Sequence, residues 1–146
     1  MIHPRIFQAS ARHLVSGTNP GQPPGTLESI DEKWLKDVAG QGFNWLYLYG
    51  VWDSGNAGRA ISRAHPSMWA KAASHLPGGS IGDVGGSPFA IREYRVDPGL
   101  GDEGSLGRLR ERAHKAGLKL MLDFVVNHTA LDPVSYTHLT LPTILL

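Results

Sequence analysis

No cysteine occurs in the chain, so neither a disulfide framework nor a thiolate zinc site is open to it, and the redox compartment stays undecided. An excess of one charge sign is missing too. The 14 Lys and Arg stand against 13 Asp and Glu, a net of +1, which excludes a basic nucleic-acid arm and an acidic solvating tail. No apolar run is long enough to span a membrane, and Met1-Ile2-His3-Pro4-Arg5-Ile6-Phe7 lacks the charged-then-apolar order of a signal peptide. The expectation is a soluble, cytoplasmic protein that contacts neither nucleic acid nor membrane. What is present is an apolar content of 41% over 146 residues, enough for a packed core. The 18 Gly and 10 Pro announce long loops between the regular elements.

Ile6-Phe7-Gln8-Ala9 has the composition of a short strand, and the Gly/Pro-rich stretch from Gly17 to Gly25 that of a loop. Ser29 with Glu32 matches a capping box; Ile30, Trp34, Leu35 and Val38 then share one helical face, and Gly40 and Gly42 end it. Trp45 to Tyr49 is apolar without alternation, the pattern of a strand buried on both faces of a parallel sheet. Gly50 to Gly104 is a long crossing with one expected helix, Pro66 to Leu76, and a short strand within Ile91 to Val96. Ser105 to Ala116 carries the stripe Leu106, Leu109, Ala113 and stops at Gly117; Leu118 to Val126 follows as an apolar strand. Alternating strands and helices predict an α/β fold with parallel crossovers, in one incomplete domain.

The last thirteen residues differ from the rest. Every Asp, Glu, Lys and Arg lies at or before Asp132, and Val134 to Thr143 resembles the translation of a transposon-end adapter used in sequencing libraries. Residues 134–146 are therefore expected to be a non-native tail, leaving 1–133 as the natural part.

Asp123, Asn127 and His128 follow an apolar strand where α/β folds bind ligands, and a charge there is costly unless paired. Strand alternation would put Asp123, Val125 and Asn127 on one face. In a purely structural role, Asp123 caps backbone groups and His128 is an ordinary loop residue. The hexapeptide Asp123-Phe124-Val125-Val126-Asn127-His128 resembles the first conserved region of the α-amylase family, glycoside hydrolase family 13. The flanks agree. Ser87 to Gly101, with Tyr94, Asp97 and Pro98, is similar to the segment before the family's second barrel helix. Leu109, His114 and Gly117 match that helix, Gly42 to Leu48 the second strand and Ile6 to Gln8 the first.

That resemblance implies a (β/α)8 TIM barrel, of which this chain is the N-terminal part, about three strand/helix units. It implies a retaining hydrolase or transglycosylase of α-glucosides, with an α-linked oligo- or polysaccharide as substrate. His128 would hydrogen-bond the reacting sugar and Asp123 would support that geometry. Asn127 is a calcium ligand in the true α-amylases, and no cofactor is otherwise required. Phe89 stands where the family has a stacking Tyr, which keeps the apolar face and loses the hydroxyl. Glu93 replaces an Asp. Trp52, just past the second strand, is a further sugar contact, whereas Trp34 and Trp45 are read as core. The family's catalytic carboxylates lie on the fourth, fifth and seventh strands, so no catalytic residue is expected in this chain, and pairing Asp53 with Asp123 would make a false dyad.

Other patterns compete. Gly99-Leu100-Gly101-Asp102-Glu103-Gly104 fits the dinucleotide-binding fingerprint, although Pro98 interrupts its approach and Asp102 and Glu103 would repel a pyrophosphate. Gly78-Gly79-Ser80-Ile81-Gly82 fits a nucleophile elbow but follows Pro77 and a helical stretch, and is read as a loop. Asn127-His128-Thr129 is a chance glycosylation sequon, and the seven His show no metal-binding spacing. A dinucleotide-binding α/β unit and a non-catalytic barrel remnant remain as the alternatives.

Overall fold

The computed structural model describes residues 3–16, 24–75 and 80–134. These fall into two compact units, Met1–Val51 with Arg95–Phe124, and Trp52–Tyr94 with Val125–Leu146. The expected loop from Gly17 to Gly25, the end of the helix at Leu76 and the tail beyond Val134 lie wholly or largely outside the described residues.

The first unit is a parallel α/β layer. Strand β1 (Ile6–Ser10) leads into the short helix α1 (Ala11–Val15), helix α2 (Glu32–Gly40) precedes β2 (Trp45–Tyr49), and α5 (Glu103–Lys115) precedes β5 (Lys119–Leu122). The sheet order is β1-β2-β5, with β2 parallel to both neighbours. Leu46 sits opposite Phe7 and Leu120, and Leu48 opposite Ala9 and Leu122. Leu46 and Leu48 are fully buried together with Leu27, Leu35, Leu109 and Ala113, so the core forms where α2 and α5 cover the sheet. Burial alternates along β2: Trp45, Tyr47 and Tyr49 are only half-buried, a departure from the two-faced burial expected of this strand. Trp34 and Trp45, expected in the core, are half-buried as well. Trp34 lies edge-on to Phe7, with ring centroids 5.7 Å apart. The Lys119 ammonium stands 5.3 Å from the Trp45 ring centre.

Helix α2 is capped differently from expectation. Ser29 lies in a 3₁₀ turn, Leu27–Ser29, and the Asp31 carboxylate accepts from the Lys33 N–H at 2.9 Å. Asp31 is adjacent to the first helical residue, so it displaces the Ser29–Glu32 pair as cap. Gly42, at φ +90°, turns the chain out of the helix into β2. Helix α5 starts two residues before the expected Ser105, because Asp102 and Ser105 form a reciprocal capping box.

The second unit holds β3 (Trp52–Asp53), α3 (Ala57–Ala64), α4 (Pro66–His75) and a 3₁₀ turn, Ile81–Asp83, while β4 (Glu93–Val96) begins in it. Strands β3 and β4 pair in a two-stranded sheet. Among the described residues no helix is long and apolar enough to cross a membrane.

Candidate functional site

Strand β5 stops at Leu122, four residues before the expected end at Val126. Its partner β2 ends at Tyr49, and Gly50, at φ +73°, turns away and leaves no ladder to continue. The side chain of Asp123 takes over at that point. Its Oδ2 accepts from the Gly50 N–H at 2.7 Å and its Oδ1 accepts from the Tyr47 hydroxyl at 2.5 Å. Only 7% of Asp123 is exposed, and both oxygens tie the end of β5 to the end of β2. The Asp123 hydrogen bond, followed by burial, raises the Tyr47 phenol to about 12. In the sequence Tyr47 is one of five large residues of a strand, and its one distinguishing signal is a hydroxyl between two Leu. Because β5 has ended, alternation does not place Val125 and Asn127 on the face of Asp123, as expected from sequence.

The same unit holds a second carboxylate in a structural bond. Arg12, in α1, donates to Asp97 at 2.8 Å. Asp97 Oδ1 also accepts from the Gly99 N–H at 2.8 Å, shaping the turn before α5.

Trp52, Phe89, Asn127 and His128 belong to the second unit, apart from Asp123 in the first. Asn127 and His128 are exposed neighbours, with Asn127 Oδ1 3.1 Å from His128 Nδ1. Trp52 meets Tyr94 edge-to-face at 5.5 Å. Phe89 is 37% exposed on a turn where its N–H donates to Ser87 Oγ at 3.3 Å. Asp53 is buried and engaged: Oδ1 accepts from the Gly55 N–H at 2.8 Å and Oδ2 from Arg92 at 3.0 Å.

Among the described residues no three acidic or His side chains are grouped to hold a metal. Calcium takes six to eight oxygens, of which Asn127 would supply one.

The competing motifs are used otherwise. Asp102 Oδ1 accepts from the Ser105 N–H at 2.7 Å, so the chain's own carboxylate fills the N-terminus of α5 where a pyrophosphate would sit. That bond holds the Asp102 carboxyl below the usual range. Ser80 Oγ accepts from the Gly82 N–H at 3.1 Å and donates to Asp83 at 3.0 Å, capping a 3₁₀ turn, while Gly78 and Gly79 lie outside the described residues.

Parallel strands joined through helices, with the buried Asp123 carboxylate just past the end of β5, fit a piece of a (β/α) barrel. The α-amylase catalytic-domain family model matches residues 1–139, and the chain belongs to this family. Its residues make up an incomplete TIM barrel, the first three or so strand/helix units. The chain resembles an α-amylase from Lactobacillus plantarum at 27% identity and a TM-score of 0.63, covering 92% of this chain and 25% of that one. It resembles the α-glucosyl transfer enzyme XgtA at 25% identity and a TM-score of 0.57, covering 90% and 19%. A trehalose-6-phosphate hydrolase from Bacillus licheniformis, at 18% identity and a TM-score of 0.58, shares the fold over 92% of this chain and 19% of its own. The chain thus spans about a fifth to a quarter of the length of these solved structures. No curated protein matches it.

Proposed function

We propose that residues 1–133 are the opening part of the catalytic barrel of a retaining α-glucoside hydrolase or transglycosylase, and that residues 134–146 are a non-native tail. The observation that carries the first reading is the family match over residues 1–139. In this reading His128 hydrogen-bonds a hydroxyl of the reacting sugar, while the indole of Trp52 and the ring of Phe89 offer apolar faces to its C–H side. Asp123 keeps its carboxylate on Gly50 and Tyr47 and holds the strand ends in place instead of touching sugar. The attacking and proton-donating carboxylates, about 5 Å apart in retaining enzymes, come from strands beyond this chain. Asp53 and Asp123 are both committed to backbone and side-chain partners, which supports leaving them out of that pair.

The test compares two proteins. An intact enzyme that carries residues 1–133 hydrolyses or transfers an α-glucoside such as maltose, and residues 1–146 alone turn over none. Residues 1–146 also show no sharp thermal transition as a monomer, because β1 and β5 leave the three-stranded sheet with two unpaired edges among the described residues. Turnover by the isolated chain, or an intact enzyme inert toward every α-glucoside, overturns the proposal.

A further inference from the structure

The segment after Asp123 is held to the second unit at several points. The Ala130 N–H donates to Ile91 O at 2.9 Å, and the Val134 N–H to Arg92 O at 3.1 Å. Nearer the exposed tip stands a different kind of anchor. The Tyr94 hydroxyl donates to Val125 O at 2.9 Å and accepts from the Val125 N–H at 2.7 Å. One phenol thereby satisfies both backbone groups of one residue, two positions before Asn127 and three before His128. A hydroxyl is suited to this because it donates and accepts at once. Tyr94 is 45% exposed, so burial of its ring does not by itself account for a tyrosine there. Its ring also meets Trp52 edge-on at 5.5 Å, which fixes the direction in which the hydroxyl points.

We propose that Tyr94 is a positioning residue: its hydroxyl clamps Val125, and so sets where the Asn127–His128 pair stands relative to Trp52. A loop pinned this close to its tip keeps the His128 ring within the narrow range of positions that an oriented reaction demands. The effect on turnover rests on the function proposed above; the clamp itself does not.

The experiment uses the intact enzyme carrying residues 1–133, as wild type and as Tyr94→Phe, which keeps the ring and drops both bonds. In the wild type the Val125 amide is protected from hydrogen exchange, and in Y94F it exchanges about tenfold faster or more, as the loss of one ordinary hydrogen bond implies. On an α-glucoside, kcat falls about tenfold while KM changes less than about twofold. A merely structural tyrosine would lower the melting temperature and leave kcat of the folded enzyme unchanged. An unprotected Val125 amide in the wild type overturns the clamp even if Y94F fails to fold, as does equal exchange in the two proteins. Faster exchange with unchanged kcat overturns the positioning role. A wild type that turns over no α-glucoside sinks the functional reading, and the exchange comparison still decides whether Tyr94 holds the loop.

Discussion

Replacing Asp123 in the intact enzyme separates two ways of losing one carboxylate. The side chain is buried and accepts from the Gly50 N–H at 2.7 Å and the Tyr47 hydroxyl at 2.5 Å. Hydrogen bonds to a charged group contribute about 1.5–3 kcal/mol each, and a buried donor left unpaired adds its own desolvation cost. Asp123→Ala strands the Gly50 N–H and leaves Tyr47 without this acceptor, so unfolding free energy should drop by about 4 kcal/mol. Asp123→Asn behaves differently. Its amide oxygen still accepts from Gly50, and its NH₂ can donate to the Tyr47 oxygen, because a hydroxyl works in both directions. That variant loses charge assistance and turns the Tyr47 O–H toward solvent, but it keeps the Gly50 N–H paired, and should cost about 1–2 kcal/mol. Urea unfolding of the three proteins, with a common slope, measures both numbers. Equal losses for Ala and Asn, or an Ala loss under about 1 kcal/mol, would falsify the claim that Asp123 joins the two strand ends.

Two further outcomes follow from neighbouring geometry. The Tyr47 phenol is raised from 10.0 to about 12 in the fold, so its contribution to stability is whole below pH 10 and drains away as pH climbs toward 12. Solvent at the partly exposed ring limits that loss to about 1 kcal/mol; a Tyr47→Phe variant should lack this alkaline slope, and an unchanged slope refutes the assignment. At α2, Asp31→Ala should lower stability by about 1 kcal/mol while Glu32→Gln stays within about 0.5 kcal/mol; the reverse ranking in thermal melts would restore the Ser29–Glu32 box.

Strand β2 was legible to the residue, since five consecutive large apolar or aromatic residues between Asn44 and Gly50 have few other uses. Helix α3 was not legible. Its apolar positions Ala57, Ala60, Ile61 and Ala64 are helically spaced, but three of them are Ala, none is buried and Ile61 is 55% exposed, so the stripe is too slight to stand out in a Gly-rich crossing. The overlong estimate of β5 has an equally physical source. Phe124 and Val126 look like strand, yet they are 77% and 76% exposed, because β2 has already turned at Gly50 and offers nothing to pair with. Of the site, Asp123 announced itself as a charge in an apolar run. Tyr47 and Tyr94 did not, because what a phenol contributes through its oxygen is invisible until the partner's backbone is in place.

The sheet's register also bears on how the polypeptide reaches its final arrangement. Ile6 pairs with Trp45 across 39 positions and Trp45 with Lys119 across 74, so neither pairing can zip up locally as a hairpin does. Closing the larger loop costs only about 0.6 kcal/mol more than the smaller, but both are long-range encounters of the kind that slow folding. On a ribosome adding about 5–20 residues each second, β1 and β2 can meet several seconds before β5 exists. Throughout that interval the far side of β2 stands open to any passing strand, which makes early shielding of the nascent segment a requirement of this topology.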